Sequence, residues 1–541
     1  MDCGAEVDAI GGILKATPLH WAARTGHVQM VTYLMQRGAD PAAFDGQGYN
    51  ALHLAVHAGH LMMIVYLVAA GMDVDMTDSL QRTPLMWAAY QGNSLGGLEE
   101  LLKANASLDK TDSTGYTALH WSVVSFHFEY ARKLIEAGAT LDCKDPSGKT
   151  PRDWAVERNQ AHVFDRILAE TGKQTGFDAS SKQTLDKKMT YNLLYSIPFF
   201  CLPVFVTIAA KLPFYMSIPI LLVLVGVIQK YLVVGYLLKG DMQNFLATPF
   251  IAAIPHASIL FVLLDWIVIV PYSASLYFTH ILFFFAAGLV VYSTYMGVVS
   301  DPGFVRKASG VEEKNDIVKR LAEQGILDSR NYCTTCQIRK PIRSKHCHHC
   351  DRCVAKFDHH CPWTFNCIGA KNHVTFMVFC SAFMVGALMY IRIALTYIGQ
   401  GYTNASSYPA DLNGCVFGHD VCAYMNYDPY TFVLVLYTIV QTIWVSFVFV
   451  TQIIQICWAR TTNEAINFQR YLYLINPEDH GLPPYQRRIL NPFDFGPIGN
   501  CVEFWSGGTG GKLKYVDWTT IYDVPPSLMK DAIRRNGLYD A

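Results

Sequence analysis

Residues 333–367 read CTTCQIRKPIRSKHCHHCDRCVAKFDHHCPWTFNC and hold seven of the chain's fifteen cysteines together with five histidines. The gaps in Cys333-x2-Cys336 and Cys347-x2-Cys350-x2-Cys353 are those of metal knuckles, because two intervening residues let both thiolates turn inward onto one ion at about 2.3 Å. His346 directly precedes Cys347, and His360 and Cys367 lie downstream. Six cysteines and two histidines make eight ligands, enough for two closed tetrahedral zinc sites; spacing leaves open how the eight pair. A closed site has no position for a water, so zinc here shapes the fold and performs no chemistry. His348 and His349 are surplus and read as solvated or supporting residues. Cys361 stands outside the count. A thiol is a poor nucleophile until ionised, with an ordinary pKa of about 8.5. The adjoining His359 can take its proton, and Asp358 can orient that imidazole.

The flanks of this stretch are apolar. The chain is 51% hydrophobic and 16% charged, with the skew concentrated between residues 190 and 460. Four apolar stretches precede the cluster, at about 191–210, 213–238, 248–271 and 276–298, and two follow, at about 374–398 and 430–457. Each is near or above the roughly 20 residues that cross about 30 Å of hydrocarbon as a helix. Gln229 and Lys230 interrupt the second. Lys182, Lys187, Lys188, Arg306, Lys307 and Arg460 gather on one side of the six spans, which places both termini and the cysteine cluster in the cytosol. The loop 399–429 then faces the lumen, where Asn404-Ala405-Ser406 is a glycosylation triplet and Cys415 and Cys422 form a candidate disulfide. No basic segment, apolar run and cleavage site open the chain as a secretory signal would.

The first third repeats itself. TPLHWAA, NALHLAV, TPLMWAA, TALHWSV and TPRDWAV begin at Thr17, Asn50, Thr83, Thr117 and Thr150, at intervals of 33, 33, 34 and 33 residues. That period and phrase are the ankyrin signature, a turn and two antiparallel helices per unit, stacked into a slab that binds proteins. Gly26, Gly59 and Gly92 sit where the chain leaves the first helix of a unit, and Asn159 suits the same place. Phe126 does not, so the fourth turn is expected to be altered. The resulting plan is repeats over 1–171, the first unit being a candidate truncation, and a polar linker over 172–189. Spans one to four follow over 190–300, a cytosolic zinc domain over 301–373, spans five and six over 374–457, and a cytosolic region over 458–541. The expected class is therefore all-α dominated: a repeat solenoid, a six-helix polytopic membrane domain and a small two-zinc cysteine-rich domain. A net charge of -1 excludes the basic footprint of a nucleic-acid binder.

Asp358-His359-His360-Cys361 is the DHHC signature, and residues 333–376 resemble the cysteine-rich domain of the DHHC protein acyltransferases over its full length. Asp301-Pro302-Gly303, Thr461-Thr462-Asn463-Glu464, Asn491-Pro492-Phe493 and Asn500 resemble the family's supporting motifs. Repeats fused to six spans resemble the ankyrin-type subfamily, its animal branch above all at TPLMWAAY, SKHC, CVAKFDHHCPW and TTNE. The resemblance implies one zinc on Cys333, Cys336, His346 and Cys353 and the other on Cys347, Cys350, His360 and Cys367. It implies that Cys361 accepts a long acyl chain from palmitoyl-CoA, with His359 as base and Asp358 orienting it, before a substrate cysteine takes the chain. Trp363 is placed near the thioester, and Thr461, Thr462, Glu464 and Asn500 brace the site. It implies further a Golgi or other endomembrane, and repeats that recruit disordered segments containing Gln-Pro against Trp87. Many members carry an Asn pair where this chain has Phe365-Asn366, so one polar contact is expected to be missing. The competing class is a non-enzymatic zinc-stabilised membrane scaffold; intact Asp358, His359 and Cys361 argue against it.

Overall fold

The computed structural model describes residues 6–172, 187–237, 248–404, 419–506, 513 and 516–535. They divide into two units, Met1–Gln183 with Lys307–Lys340 and Thr184–Arg306 with Pro341–Ala541.

In the first unit the repeats are five helix pairs, from Pro18–Thr25 and Val28–Gln36 to Pro151–Glu157 and Ala161–Thr171. Thr17, Asn50, Thr83, Thr117 and Thr150 cap the first helix of each pair, each side-chain oxygen accepting the backbone N–H three residues on. These caps are why the phrase begins on Thr or Asn. Gly26, Gly59 and Gly92 adopt the left-handed conformation, with φ of 77°, 75° and 63°. Phe126 adopts it too, at 63°, which corrects the expected alteration of the fourth turn. The geometry is kept, and the strain that a side chain suffers there is borne by the stack around it.

Lys307–Lys340 joins this unit, although the sequence places it in the zinc domain. The helix Val311–Glu323 packs on the second helices of the first two repeats, and Val318, Leu321, Ala322, Leu327 and Tyr332 enter the repeat core. Lys314 pairs with Glu100, the two side chains only 7% and 0% exposed. Gln29 donates to the Gly325 carbonyl at 2.9 Å and Lys103 to that of Thr334 at 2.7 Å. A lysine left buried without its partner is costly, by about 3–5 kcal/mol. Glu100→Ala is therefore expected to destabilise the unit by that order and to open Lys307–Lys340 to limited proteolysis, whereas Glu100→Met with Lys314→Met recovers most of the loss.

The second unit contains the six expected spans: Lys188–Lys211, Tyr215–Gly235, Phe250–Tyr272, Ala274–Val299, His373–Gly401 and Pro429–Cys457. The second continues as a π-helix over Ile228–Leu237, beginning where Gln229 and Lys230 break the apolar run. The fourth span packs along the fifth, the fifth on the sixth and the first on the third. The fifth-span helix runs to Asn404. Residues 405–418, and with them Cys415 and its pairing to Cys422, lie outside the described residues, as does most of the linker, 173–186.

Candidate active site and metal centre

The cysteine-rich segment folds as three antiparallel hairpins: β1 (Tyr332–Cys333) with β2 (Ile338–Arg339), β3 (Lys345–Cys347) with β4 (Arg352–Val354), and β5 (His359–Cys361) with β6 (Asn366–Ile368). The hairpins are built alike. Cys333, Cys347 and Cys361 each close a first strand, opposite Ile338, Arg352 and Asn366. Four residues after each of these cysteines the chain turns left-handed, at Gln337, Asp351 and Phe365, with φ of 57°, 48° and 49°. The residue before that turn is Cys336 in the first hairpin, Cys350 in the second and Thr364 in the third. Cys361 thus occupies a metal-knuckle position from which the second thiolate is missing.

The second metal group fits zinc. His360 Nδ1 lies 3.6, 3.5 and 3.6 Å from the sulfurs of Cys347, Cys350 and Cys367, and Cys350 Sγ lies 3.4 Å from Cys367 Sγ. A tetrahedron with Zn–S of 2.3 Å and Zn–N of 2.0–2.1 Å has N···S edges of about 3.6 Å and S···S edges of about 3.8 Å. The three N···S edges match that tetrahedron, and all four donor atoms lie within 4.8 Å of one another. His360 and Cys367 face each other across β5 and β6. Of the other expected ligands, Cys333 and Cys336 form a knuckle in the first unit, closed by the Cys336 N–H on Cys333 Sγ at 3.4 Å. His346 and Cys353 are cross-strand partners in the second unit.

Asp358 is 1% exposed and its carboxylate is saturated. Oδ2 accepts from His359 Nδ1 at 2.6 Å, the Thr462 hydroxyl at 2.8 Å and the Gln452 amide at 2.9 Å, and Oδ1 accepts the Thr462 N–H at 2.7 Å. Burial opposes its charge, but His373, His359 and Thr462 outweigh burial and hold the carboxyl below the usual carboxylate range. Burial also pulls His359 down, yet the hydrogen bonds to Asp358 and Cys361 carry it up to about 10. Cys361, 2% exposed, is raised by burial and brought below its ordinary value by His359 and by the hydroxyl and N–H of Thr364. Near neutral pH these shifts favour a thiolate–imidazolium pair, the reactive form of a cysteine nucleophile.

Around this pair lies an apolar cavity of about 380 Å³ among the third to sixth spans, lined at one place by His359, Cys361 and Trp363. Its wall on the fifth span extends from Phe376 to Tyr390, about 21 Å of helix. The supporting motifs converge on the same region. Asp301 accepts from the Gly303 and Phe304 N–H groups at 2.9 and 2.8 Å, and the Val305 N–H runs to the Cys353 carbonyl on β4 at 2.9 Å. Gly303 has φ of 101°, which excludes a side chain. Thr461 and Glu464 form a capping box that presents Thr462 to Asp358. Asn500 donates to the Cys457 carbonyl at 2.7 Å, tying down the end of the sixth span. Asn366 reaches the Gly297 and Ser300 carbonyls at 3.0 and 2.9 Å, whereas Phe365 turns its ring to Tyr191 at 6.3 Å.

Trp87 belongs to the repeat unit. Its ring is 7% exposed, its indole donates to Asp78 at 3.0 Å, and Arg82 covers its face at 4.2 Å. Trp121 and Trp154 make the same bond to Asp112 and Asp145. Sequence reading missed Gln452, whose carbonyl meets His373 at 2.7 Å, along with His373 itself, Thr364 and Arg343. For Thr364 the signal is a 14-residue period running Cys333, Cys347, Cys361 and Cys336, Cys350, Thr364.

Fold and site together define a polytopic membrane protein whose metal-knuckle domain turns one activated thiol into an intramembrane cavity. Residues 326–469 match the family described as DHHC palmitoyltransferase, and 2–78, 19–112, 64–145 and 85–183 match ankyrin repeats. Palmitoyltransferase ZDHHC17 of Mus musculus is 32% identical over 553 residues, covering 96% of this chain and 80% of the relative. Palmitoyltransferase AKR1 of Mortierella alpina is 32% identical over 575 residues, 90% of this chain and 98% of the relative. With Palmitoyltransferase AKR1 of Lachancea kluyveri the identity is 33% over 467 residues, 83% of this chain, and the chain spans 62% of that relative. The chain belongs to the ankyrin-repeat branch of the DHHC palmitoyltransferase family.

Proposed function

We propose that this protein moves a palmitoyl group from palmitoyl-CoA to cysteine thiols of protein substrates in two steps through an S-acyl Cys361 intermediate. One observation carries the reading: Cys361 holds a knuckle position without a second thiolate, and it lines an apolar cavity among the spans. In the first step the Cys361 thiolate attacks the thioester carbonyl, the bond to the CoA sulfur breaks, and His359 gives its proton to the departing thiolate. In the second, the substrate thiol gives its proton to His359 and attacks the acyl carbonyl on Cys361, the bond from that carbonyl to Cys361 Sγ breaks, and Cys361 leaves as thiolate. Asp358 keeps His359 aligned, and Trp363 borders the reacting carbonyl. Zinc on the two sets Cys333, Cys336, His346, Cys353 and Cys347, Cys350, His360, Cys367 supplies a fixed frame.

Enzyme acylated beforehand and freed of acyl-CoA is expected to transfer its chain to a substrate peptide; transfer that requires acyl-CoA in the same mixture would refute the two-step route. The thiolate pair has its own signature. Alkylation of Cys361 by iodoacetamide is expected to reach its plateau at a lower pH than that of an ordinary thiol, because His359 and Thr364 bring the thiol below its ordinary value. In Asp358→Asn the rate should climb toward the free-thiol pKa of about 8.5, and an identical profile in both proteins would remove Asp358 from its role.

The repeats are the substrate-recruiting surface in this reading, for disordered segments containing Gln-Pro. An aromatic row supports it: Trp87 meets Tyr49, His57 and Tyr90 edge-on at 5.2–5.8 Å, and Tyr90 meets Trp121 at 5.2 Å. Trp87→Ala is expected to weaken peptide binding while leaving Cys361 self-acylation intact. Tyr90→Ala, at a ring 44% exposed, separates groove contact from loss of packing. Unchanged affinity in both would return Trp87 to a packing role. The orientation proposed has both termini and the zinc domain cytosolic in an endomembrane such as the Golgi. A glycan at Asn404, removable by endoglycosidase, would mark 399–429 as lumenal.

A further inference from the structure

A second cavity, of about 690 Å³, lies between the first span and the third and fourth. Ile259, Leu263 and Thr294 line both cavities. Its polar side chains, Tyr191, Asn192, Tyr195, His256, Thr294 and Tyr295, gather toward one end of the three spans. Tyr195 and His256 share a hydrogen bond of 3.0 Å between the hydroxyl and Nδ1, and that is the only side-chain hydrogen bond of His256 among the described residues. Thr294 Oγ1 is buried with no partner, although a threonine inside a helix ordinarily bonds the carbonyl one turn back. His256 lies six residues into the helix that starts at Phe250, and Thr294 lies five before the end at Val299 of the antiparallel fourth span. Both are therefore about 8–9 Å inside the same end of the bundle. Leu260 and Leu263 line the cavity about 15–20 Å inside that end. No Lys, Arg, Asp or Glu lines it. Its side toward the bilayer is open, with Tyr295, Val299 and Val291 63%, 54% and 47% exposed.

A ligand matching this wall enters from lipid, carries one uncharged hydrogen-bonding group near the interface, and has an apolar body of about 10 Å below it. The missing basic side chains disfavour a phosphate headgroup, whose recognition calls for them. The orphaned Thr294 hydroxyl in hydrocarbon is costly until a partner arrives. We infer that this cavity binds a neutral membrane lipid of the sterol class, its single hydroxyl bridging His256 and Thr294 and its rigid body lying along Leu260 and Leu263. Because three residues face both cavities, an occupied site braces one wall of the cavity that holds Cys361. The inference rests on the membrane topology and not on acyl transfer, so its test reads binding.

The full-length protein in phosphatidylcholine nanodiscs is irradiated with a photoreactive, alkyne-tagged cholesterol analogue, and labelled peptides are mapped. Labelling within 249–263 or 291–299 that excess cholesterol competes away is the expected result. His256→Leu and the isosteric Thr294→Val should each reduce it about fivefold, the worth of one hydrogen bond, in protein that stays monodisperse. Thr294→Val keeps the test valid should His256→Leu fail to fold. Labelling confined to other spans, labelling that neither substitution changes, or stronger competition by diacylglycerol than by cholesterol would overturn the proposal.

Discussion

Cys361→Ser is expected to lower the hydroxylamine-labile label that the protein takes from a tagged palmitoyl-CoA analogue by at least about a thousandfold, the scale on which losing a nucleophile acts. The substitution changes one buried atom, so packing around the 2%-exposed side chain is retained. What disappears is the ionisable sulfur. His359 and Thr364 bring a thiol below its ordinary value, and the same partners cannot bring an alcohol to ionisation near neutral pH. Zinc content offers the internal control. Cys361 is absent from the four-donor group of Cys347, Cys350, His360 and Cys367, so the serine protein should keep the wild-type zinc stoichiometry while losing the label. Loss of zinc along with activity would make Cys361 a ligand; equal labelling of both proteins would place the acyl intermediate elsewhere.

The repeat period, the six spans and the ligand count were legible because each is written locally. A 33-residue phrase, about 20 apolar residues, or a two-residue gap between cysteines needs no partner far along the chain. The environment of Cys361 was legible only in part. The neighbours His359 and Asp358 adjoin it in sequence, but Gln452 and Thr462 reach Asp358 across 94 and 104 positions, and no local pattern announces them. The third hairpin was hidden for another reason. Thr364 stands where a second thiolate would, so a search for cysteine gaps passes over it, although the 14-residue period and the turn at Phe365 mark the same backbone. Phe126 shows the converse limit: its side chain argues against a left-handed turn, and the stacked repeats impose one. Trp87 was read toward a groove only through the resemblance to the ankyrin-type subfamily, whereas its bond to Asp78, repeated at Trp121 and Trp154, is first a packing device. Lys307–Lys340 was assigned by proximity in sequence to the cysteines, and Lys314 with Glu100, 214 positions apart, assigns it to the repeats.

Glu464→Ala is expected to cost about 3–5 kcal/mol, because it leaves the Arg343 guanidinium buried without a counter-charge. The side chains of Arg343 and Glu464 are 2% and 1% exposed, and the guanidinium meets the carboxylate in a two-pronged contact of 2.7 and 2.5 Å. The Tyr473 hydroxyl adds a bond of 2.9 Å to the same carboxylate. Phe493 and Trp518 have their rings 4.8 and 5.2 Å from the guanidinium carbon, which gives the Asn491-Pro492-Phe493 motif a physical role. The effect should reach the active site. Glu464 Oε2 also accepts the Thr461 N–H at 2.9 Å, closing the box that starts the helix Thr462–Asn467. If that turn frays, Thr462 no longer meets Asp358, and His359 loses its fixed partner. Glu464→Ala should therefore release zinc to a chromogenic chelator at a lower temperature than wild type and also acylate more slowly at a temperature where it stays folded. Arg343→Met combined with Glu464→Met removes both charges and should recover most of the stability. Acylation should not recover with it, because the capping carboxylate is still gone. A double variant as active as wild type would mean that Thr462 is positioned without Glu464, and a Glu464→Ala protein with an unshifted release temperature would mean that the buried pair holds nothing in place.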